Sequence, residues 1–299
     1  MKICAVIVTY NRLDKLKKTL DAYDKQTRTV DKIIVVDNAS KEDTKEYLKT
    51  WQSSESKTQK VVVTLDTNMG GSGGFYYGMK KAKEIGFDYL FIADDDAYPE
   101  ESAFEKIENA INKYHVEALC TRVTEPKGIN LQHRRRTYRK HLRHKEIGYD
   151  ISNYEKEYFE CELFSFVGAV ISNKVVEKCG YPNKDYFIWF DDTEYAYRVK
   201  ENFKILCIPS INVFHDCDES NSGEISWKQY YGFRNTLDCY SKHVGIWDVF
   251  TKILATRIKN IYRFFKNKPV YKLYKTAIHD YKHHKFGISE VYKPGTKIK

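Results

Sequence analysis

Apolar runs of strand length alternate with segments of helical periodicity through the first hundred residues. Between the first two runs, Leu13, Leu16 and Leu20 fall on one helical face, and Asn11 is placed to cap that helix. Alternation of strand and helix is typical of a parallel sheet with right-handed crossovers, so the pattern predicts an α/β fold. The first four runs are Ile3 to Thr9, Lys32 to Val36, Val61 to Leu65 and Tyr89 to Ala93.

The pattern is less regular after the fourth run. Pro99 stands where the first turn of a helix tolerates proline, and it predicts a helix with Phe104 and Ile107 on the buried side. The basic stretch 125 to 150 has little apolar periodicity and predicts a mobile loop, which we expect to close over anionic reactants. Further regular structure is predicted at Ala118 to Val123, Phe164 to Ile171 and Ile205 to Phe214.

Polar side chains stand directly after several of the apolar runs. Ligands of parallel sheets bind beyond the carboxyl ends of the strands, so these side chains are expected to converge on one crevice. Asp37 either holds a ribose or a base through its carboxylate or caps the next helix. The polar residues are Thr9, Tyr10, Asn11, Asp37, Asn38, Asn68 and Asp94 to Asp96.

Asp94, Asp95 and Asp96 end the fourth run with three adjacent carboxylates. Carboxylates this close stay ionised only with a cation, with hydrogen-bond donors or with full solvation. In an extended chain, Asp94 and Asp96 point to one side and Asp95 to the other. Hard oxygen ligands suit Mg²⁺ or Mn²⁺, which suit a diphosphate, whereas the simpler alternative is a solvated acidic turn. His215, at the end of a later run, either completes such a metal site or is structural.

The glycine-rich segment 68 to 74 predicts an anion-binding turn at the start of a helix. A dinucleotide-binding fingerprint that begins at Gly71 would need glycine where Tyr76 stands. A P-loop that begins at Gly73 would need lysine where Met79 stands. These mismatches argue against a dehydrogenase or a nucleoside triphosphatase.

A second acidic group follows aromatic residues between positions 185 and 198. If a helix begins here, Asp191, Asp192 and Glu194 gather at its positive end. A carboxylate beside Trp189 and Phe190 is partly desolvated and becomes a candidate general base. Acids of a helical first turn that have no chemical role are the alternative.

The composition is that of a globular protein whose positive charge is concentrated near one end. Of the 299 residues, 42% are hydrophobic and 30% are charged, and the formal net charge is +9. Residues 251 to 299 contain 13 Lys or Arg against two acids. No apolar stretch approaches membrane-spanning length and no signal-peptide layout is present, so we expect a cytoplasmic protein. The seven Cys include no CxxC pair, which indicates reduced thiols.

Two basic segments are candidate contact surfaces. Within 251 to 275, apolar residues alternate with Lys and Arg at helical spacing. This pattern predicts an amphipathic helix that lies on anionic lipid, or one that packs its apolar face on the rest of the chain. The cluster from Arg134 to Lys145 predicts either a solvated loop or a contact with an anionic partner.

Taken together, the motifs resemble those of the inverting glycosyltransferases of family 2, which have the GT-A fold, a Rossmann-like α/β architecture with a mostly parallel sheet. Their order along residues 1 to 235 is that of the family. Tyr230, Tyr231, Arg234 and Asn235 extend the similarity to the branch of galactofuranosyltransferases and rhamnosyltransferases. The motifs are Val8 to Arg12, Val36 to Ser40, Asn68 to Gly71, Asp94 to Asp96, Trp189 to Glu194 and His215.

The resemblance implies a role for each motif. Asp192 would deprotonate the acceptor hydroxyl, Asp95 would hold the donor ribose, and Arg234 would meet a phosphate. The residues implied in donor binding are Thr9, Asn11, Arg12, Asp37, Asn68, Gly70, Gly71, Asp95 and Arg234. Those implied in acceptor binding are Trp189, Asp191 and Glu194. Those implied in holding Mn²⁺ or Mg²⁺ on the donor diphosphate are Asp94, Asp96 and His215.

The resemblance also implies a domain plan and a set of partners. Residues 1–235 would form the GT-A catalytic domain and residues 236–299 a basic helical extension. The donor would be UDP-galactofuranose or, as an alternative, dTDP-rhamnose. The acceptor would be a lipid-linked saccharide of a bacterial surface polysaccharide, with the protein peripheral on the inner face of the plasma membrane. A homo-oligomer is left open.

Other classes of protein fit parts of the pattern. A nucleic-acid-binding protein would explain the basic clusters and many Tyr residues, but it would leave the ordered acids without a role, so we expect no nucleic-acid partner. A nucleotide-sugar-binding scaffold would keep the fold without catalysis. A nucleotidyltransferase usually carries a glycine-rich basic loop after its first strand, whereas Thr9 to Arg12 contain no glycine.

Overall fold

A computed structural model describes residues 1–141, 143–217 and 225–298 and confirms the predicted α/β fold. The strands are β1 (Ile3–Thr9), β2 (Lys32–Asp37), β3 (Gln59–Thr64), β4 (Tyr89–Asp94), β5 (Ala97–Pro99), β6 (Ala118–Glu125), β7 (Gly128–Ile129), β8 (Arg134–Lys140), β9 (Arg143–Gly148), β10 (Phe159–Glu160), β11 (Leu163–Phe164), β12 (Ala169–Ser172) and β13 (Ile205–His215). The α-helices are α1 (Leu13–Asp24), α2 (Glu42–Ser53), α3 (Gly70–Ile85), α4 (Ala103–Tyr114), α5 (Asn173–Cys179), α6 (Asp191–Asn202), α7 (Lys228–His243), α8 (Ile246–Lys266) and α9 (Lys268–Lys282).

The main sheet brings the predicted polar strand ends to one edge. Its strand order is β3-β2-β1-β4-β12-β6-β13-β10, and β1, β2, β3 and β4 are parallel neighbours. Thr9 pairs in register with Asp37 on β2, and Val8 pairs with Asp94 on β4. Carboxyl ends of parallel strands lie at the same edge, so these polar residues are neighbours.

Helices cover both faces of the sheet because alternate residues of each buried strand point to opposite sides. On one side, Ile7 belongs to a core with Leu16 of α1. On the other side, Val6 belongs to a core with Phe75 of α3 and Tyr195 of α6. The near-continuous apolar runs of the sequence are therefore explained by burial on both faces.

The glycine-rich segment forms the first turn of α3 and not a free loop. A Cβ atom at Gly74 would lie 2.4 Å from Val8 Cγ1, and one at Gly78 would lie 2.5 Å from Val6 Cγ1. Glycine at these two positions lets the helix pack directly against β1. The spacing of the glycines thus reflects helix-to-sheet contact as much as any ligand.

The prediction that Pro99 opens a helix is wrong. Pro99 ends β5, which pairs antiparallel with β13 opposite Val213, and α4 begins later, at Ala103. A strand end accommodates a residue that lacks a backbone N–H, as does the first turn of a helix. Proline by itself did not distinguish the two.

The prediction of a mobile loop at 125 to 150 is wrong for most of that stretch. β8 and β9 form an antiparallel hairpin, and β8 also pairs with β11. Arg134 is fully buried and donates to the carbonyls of Thr121 and Val167. The hairpin packs through charged and polar contacts, so its sequence lacks the apolar alternation by which strands are usually predicted.

The C-terminal region is helical, as predicted, and α7, α8 and α9 pack on one another. α7 runs without interruption through residue 235, so the predicted division at 235 and 236 falls inside a helix and stays a prediction. Among the helices of the described residues, none is long and apolar enough to span a membrane.

Arg234 lies in the packing between α7 and the chain that follows α9, and this placement contradicts a contact with the donor phosphate. It is 1% exposed, and its guanidinium donates to the carbonyls of Tyr186 and Gly287. The rings of Tyr231 and Phe286 each lie 5.1 Å from its Cζ. With its donors used and its faces covered, Arg234 has a structural role.

Arg234→Gln is therefore expected to lower the free energy of unfolding by about 3 kcal/mol or more, because several buried carbonyls lose their donors. Urea unfolding followed by circular dichroism measures this loss. The matched control is Arg257→Gln, on an exposed residue of α8, which should change stability by less than about 0.5 kcal/mol. A variant that unfolds like the parent but binds nucleotide more weakly would return Arg234 to the donor site.

Candidate active site

Buried carboxylates follow β4. Asp95 is 0% exposed, and its Oδ2 accepts a hydrogen bond of 2.6 Å from the Thr9 hydroxyl. Its Oδ1 faces the Arg12 guanidinium in an ion pair. Burial raises the pKa of Asp95 to about 7, against the opposing effects of Arg12 and Thr9. Both oxygens thus face groups of the protein, and the contact of Asp95 with a donor ribose stays a prediction.

Arg12 compensates the charge of two acids at once. Its Nη1 lies 2.7 Å from Asp96 Oδ2, while its Nη2 faces Asp95. Burial disfavours ionisation of Asp96, but His215 and Arg12 hold its pKa below the usual value. Thr9 and Arg12, both predicted in donor binding, thus belong to the acid cluster itself.

Asp94, Asp96 and His215 form the group that the sequence predicted for a metal ion. One ligand atom from each lies within 4.8 Å of the others, and His215 Nε2 is 3.4 Å from Asp96 Oδ1. Asp96 Oδ1 is buried without a hydrogen-bond partner, as expected of an atom that coordinates an ion. Burial opposes protonation of His215, yet Asp96, Asp94 and Glu125 raise its pKa to about 9. The donor set of two carboxylates and one imidazole fits Mn²⁺ or Mg²⁺.

Glu125 and His133 adjoin this group and were not predicted. Glu125 Oε1 lies 3.2 Å from His215 Nδ1 and 3.2 Å from His133 Nε2. Such a carboxylate fixes the orientation of a histidine that binds a metal through its other nitrogen. Glu125 ends the strand β6. The expectation that polar residues at strand ends converge on one crevice, which located the other acids, could therefore have identified it. No signal in the sequence marks His133.

Asn68 and Gly70 shape the turn before α3. Asn68 Oδ1 accepts from Gly70 N at 2.8 Å, and Asn38 bonds to Met69 N and to the Gly70 carbonyl. Gly70 has a φ of 71°, and a Cβ there would lie 1.8 Å from the Phe187 carbonyl oxygen. By contrast, a Cβ at Gly71 would meet nothing within 4 Å. Of these predicted donor contacts, Gly71 alone faces open space.

Asp37 does not cap α2, whose N-cap is Lys41 without a side-chain cap, and its contact with a nucleotide stays a prediction. It is fully buried, and its Oδ1 accepts from Ser40 N at 2.8 Å. Its Oδ2 is buried without a hydrogen-bond partner. Asn11, also predicted in donor binding, bonds to Lys41 N and has a φ of 55°, so it holds the adjoining turn together.

A strained turn precedes α6 and carries the aromatic residues. Phe187, Trp189 and Phe190 all have positive φ, between 64° and 70°. Asn235 Nδ2 donates to the carbonyls of Ile188 and Trp189, which holds the turn in this conformation. Strain of this kind is concentrated at functional sites and persists only where surrounding contacts enforce it. Asn235, which together with Arg234 ends the motifs that resemble the family, therefore supports the turn before the acidic helix α6.

The first turn of α6 places two acids of different character beside the metal group. Asp191 is buried, and burial together with Asp192 raises its pKa to about 8. Asp192 is partly exposed, and its Oδ1 accepts from the N–H and hydroxyl of Thr193. Burial and Asp96 raise the pKa of Asp94 to about 6, and the charge of Asp192 adds to this effect. Within the part of the chain that is described, Asp192 Oδ2 has no partner.

Glu194 and Trp189 were predicted to bind the acceptor, and the structure separates them. Trp189 is 41% exposed and its ring packs against Gly232. Glu194 is buried, with Oε2 2.7 Å from Arg198 and Oε1 3.2 Å from His243. The carboxylate of Glu194 is thus committed to ion pairs inside the protein, and the prediction that it contacts the acceptor is not supported by this geometry.

Comparisons with known proteins agree with this architecture. Solved structures with a similar fold include S. aureus TarS 1-349 in complex with UDP-GlcNAc, at a TM-score of 0.61 and 15% identity, which covers 94% of this chain and 80% of that one. Mannosyltransferase PcManGT from Pyrobaculum calidifontis in complex with GDP-Man and Mn²⁺ has a TM-score of 0.58 and 15% identity, and covers 81% and 63%. These likenesses confirm the predicted GT-A fold.

Sequence comparisons lead to a family. Galactofuranosyltransferase GlfT1 from Mycolicibacterium smegmatis is 29% identical over 201 residues, or 66% of this chain. The alignment spans 65% of the length of that relative, slightly less than two thirds. The profile of Glycosyl transferase family 2 matches residues 4–180, which is more than half of the chain and includes the carboxyl ends of β1, β2, β3, β4 and β6. The chain therefore belongs to glycosyltransferase family 2.

Proposed function

We propose that this protein is an inverting, metal-dependent glycosyltransferase that transfers galactofuranose from UDP-galactofuranose to a lipid-linked saccharide. The observation that carries the proposal is the cluster Asp94, Asp96 and His215, together with a carboxylate on Asp192 whose charge acts on Asp94 and whose Oδ2 is unpartnered among the described residues. The name of the relative GlfT1 supports galactofuranose as the sugar. The cluster would bind the diphosphate of the donor, and Asp192 would act as the base for the acceptor, at the same edge of the sheet.

The donor is held by groups on the strand ends. Asp37 Oδ2 accepts a hydrogen bond from the nucleotide, and the open face at Gly71 lets the donor approach α3 closely. Asp94, Asp96 and His215 would hold the divalent ion, which would stabilise negative charge on the departing diphosphate. Arg12, which is 39% exposed in its side chain, reaches the same region from β1. Asp95 and Thr9 keep Arg12 in place.

Asp192 is the general base. It is the acid of the pair that stays accessible, and the buried Asp191 keeps its proton at neutral pH because its pKa is raised to about 8. The Thr193 N–H and hydroxyl orient the Asp192 carboxylate through Oδ1, which leaves Oδ2 for the acceptor hydroxyl. Removal of that proton promotes attack on the anomeric carbon from the face opposite the nucleotide, with inversion.

The acceptor reaches this site from a membrane surface, and α8 provides the contact. Ile258, Ile261 and Phe265 are 60%, 66% and 78% exposed, and further apolar residues continue the same stripe to Ile246. A contiguous apolar face of this size on a globular protein marks an interaction surface. Asp248 is the sole acid in the helix, while Lys and Arg flank the stripe. This charge complements anionic lipid, so α8 is proposed to lie in the interfacial region of a bilayer.

Binding of UDP should require a divalent ion and the acid cluster. In calorimetric titrations, the parent is expected to bind UDP more tightly with Mn²⁺ than without it, and more tightly than dTDP. Asp96→Asn should weaken Mn²⁺-dependent binding by about tenfold or more, because one ligand charge is lost. Asp21→Asn, on the exposed face of α1, is the matched control. Equal titrations with and without Mn²⁺ would refute the metal dependence.

Asp192→Asn should lower the rate of transfer by about 10²-fold to 10⁴-fold while UDP binding is preserved, because the amide cannot accept the proton. The measurement is release of UDP from UDP-galactofuranose in the presence of a galactoside acceptor. Asp21→Asn again serves as the control and should transfer at the parent rate. An unchanged rate in Asp192→Asn would contradict the assignment of the base.

Binding to vesicles tests the role of α8. The double variant Ile258→Gln/Ile261→Gln should bind vesicles of phosphatidylcholine and phosphatidylglycerol about a hundredfold more weakly, because two exposed side chains no longer enter the interface. The control is Ile151→Gln/Val291→Gln, at residues that are 50% and 63% exposed elsewhere on the surface. Flotation with vesicles measures the loss. The proposal would be wrong if the parent did not bind vesicles and formed dimers that the α8 substitutions abolish. That result would show that a second copy of the chain covers this face.

A further inference from the structure

A cavity of about 320 Å³ lies between β9 and the helices α7, α8 and α9, apart from the acids at the strand ends. Its lining is strongly basic, and the cations come from two separate elements, β9 and α8. Asp248 is the acid that lines it within the described residues. The cations are Arg143 and Lys145 of β9 and Lys252, Lys259 and Arg263 of α8.

In the described lining of this basic cavity, five cations face the acid Asp248, so positive charge is in excess. Asp248 Oδ1 already accepts from His144 N, and its Oδ2 lies 3.1 Å from Arg139, which is outside the lining. Over residues 1–141, 143–217 and 225–298, neither Lys252 nor Arg263 forms an ion pair with an acid. A cavity lined by uncompensated cations favours a multiply charged anion.

Aromatic rings hold two of these cations in position. The Lys252 ammonium lies 4.9 Å from the centre of the Tyr240 ring, and the Arg263 guanidinium lies 4.3 Å from that of Tyr274. Burial, and also the charge of Lys145, lower the pKa of Lys252, against the opposing effect of Glu146. A bound anion would therefore be favoured both by charge and by the limited freedom of the side chains.

The location connects this cavity to the acceptor side of the proposed active site. Arg135, at one end of the β8 and β9 hairpin, donates to the Thr193 hydroxyl on α6. Four residues further along β8, Arg139 lies opposite His144 in the strand register of the hairpin. His144 lines the cavity. At about 3.3 Å per residue, the cavity is thus on the order of 13 Å from the first turn of α6. The opposite side of α8 carries the exposed apolar stripe.

We propose that the basic cavity binds the diphosphate group of a lipid diphosphate acceptor, as a site separate from the donor diphosphate. The lipid chain leaves the cavity beside the apolar stripe of α8 and enters the bilayer. The saccharide attached to the diphosphate extends along the hairpin toward Asp192. This inference rests on the proposed transfer to a lipid-linked saccharide and adds the element that holds the lipid end of the acceptor.

The test uses the full chain and phosphatidylcholine vesicles that contain farnesyl diphosphate, with flotation as the readout. The parent should bind these vesicles more tightly than vesicles with phosphatidylglycerol at equal total charge. The triple variant Arg143→Gln/Lys145→Gln/Lys252→Gln should bind roughly a hundredfold more weakly, since three cations near the phosphates are removed. The matched control removes three exposed lysines on and beside α2, in the variant Lys45→Gln/Lys49→Gln/Lys57→Gln, and should bind like the parent.

Three results would overturn the proposal. The first is equal affinity of the parent for farnesyl diphosphate and phosphatidylglycerol vesicles, which would indicate attraction to any anionic surface. The second is equal loss in the triple variant and its control. The third is binding of inorganic diphosphate as tight as that of farnesyl diphosphate, which would indicate a site for a free anion.

Titration of the same samples with UDP and Mn²⁺ separates this inference from the proposed function. A triple variant that loses farnesyl diphosphate but keeps UDP supports the cavity as a second, independent site. A parent that binds farnesyl diphosphate but fails to bind UDP would refute the proposed donor while leaving the cavity assignment in place.

Discussion

Compensation of buried negative charge at the end of β4 is the constraint on which the rest of the site depends. Three consecutive carboxylates leave a strand whose apolar part is buried on both faces, so they cannot all be solvated. Arg12 from the end of β1 and His215 from the end of β13 supply the positive charge. The strand order places β1 next to β4, and β5 joins the acid turn to β13. The sheet topology is thus what makes this concentration of acids tolerable.

The same charge arrangement explains why the two acids of α6 differ. Asp191 is buried close to the acid cluster, and ionising it there would add another negative charge in a desolvated position. Asp192 projects where solvent still reaches it and is oriented by Thr193. The strained turn that delivers this helix is held by Asn235, and Arg234 anchors the residues just before it. Hydrogen bonds from α7 therefore support the turn that precedes the proposed base.

The C-terminal helices give the molecule two surfaces of unlike chemistry on either side of α8. The apolar stripe lacks a partner within the described chain, while the cations in the lining of the basic cavity, on the side facing β9, outnumber the acid Asp248. The β8 and β9 hairpin joins that cavity to α6 through Arg135 and Glu146. The proposed membrane-borne acceptor with a charged head group would use both surfaces together.

The sequence by itself determined the α/β class, the parallel strands and the acids that follow them, because burial on both faces and strand-end position leave local patterns in the chain. It also located Asp191 and Asp192 at a helix start. It misplaced Arg234 and Glu194, because the sequence does not show whether the partner of a charged side chain is a ligand, a buried carbonyl or another charged residue. It missed the β8 and β9 hairpin, whose polar contacts leave no apolar alternation, and it missed His133. Only the tertiary structure decided these points, since each depends on which distant residue supplies the partner for a charge.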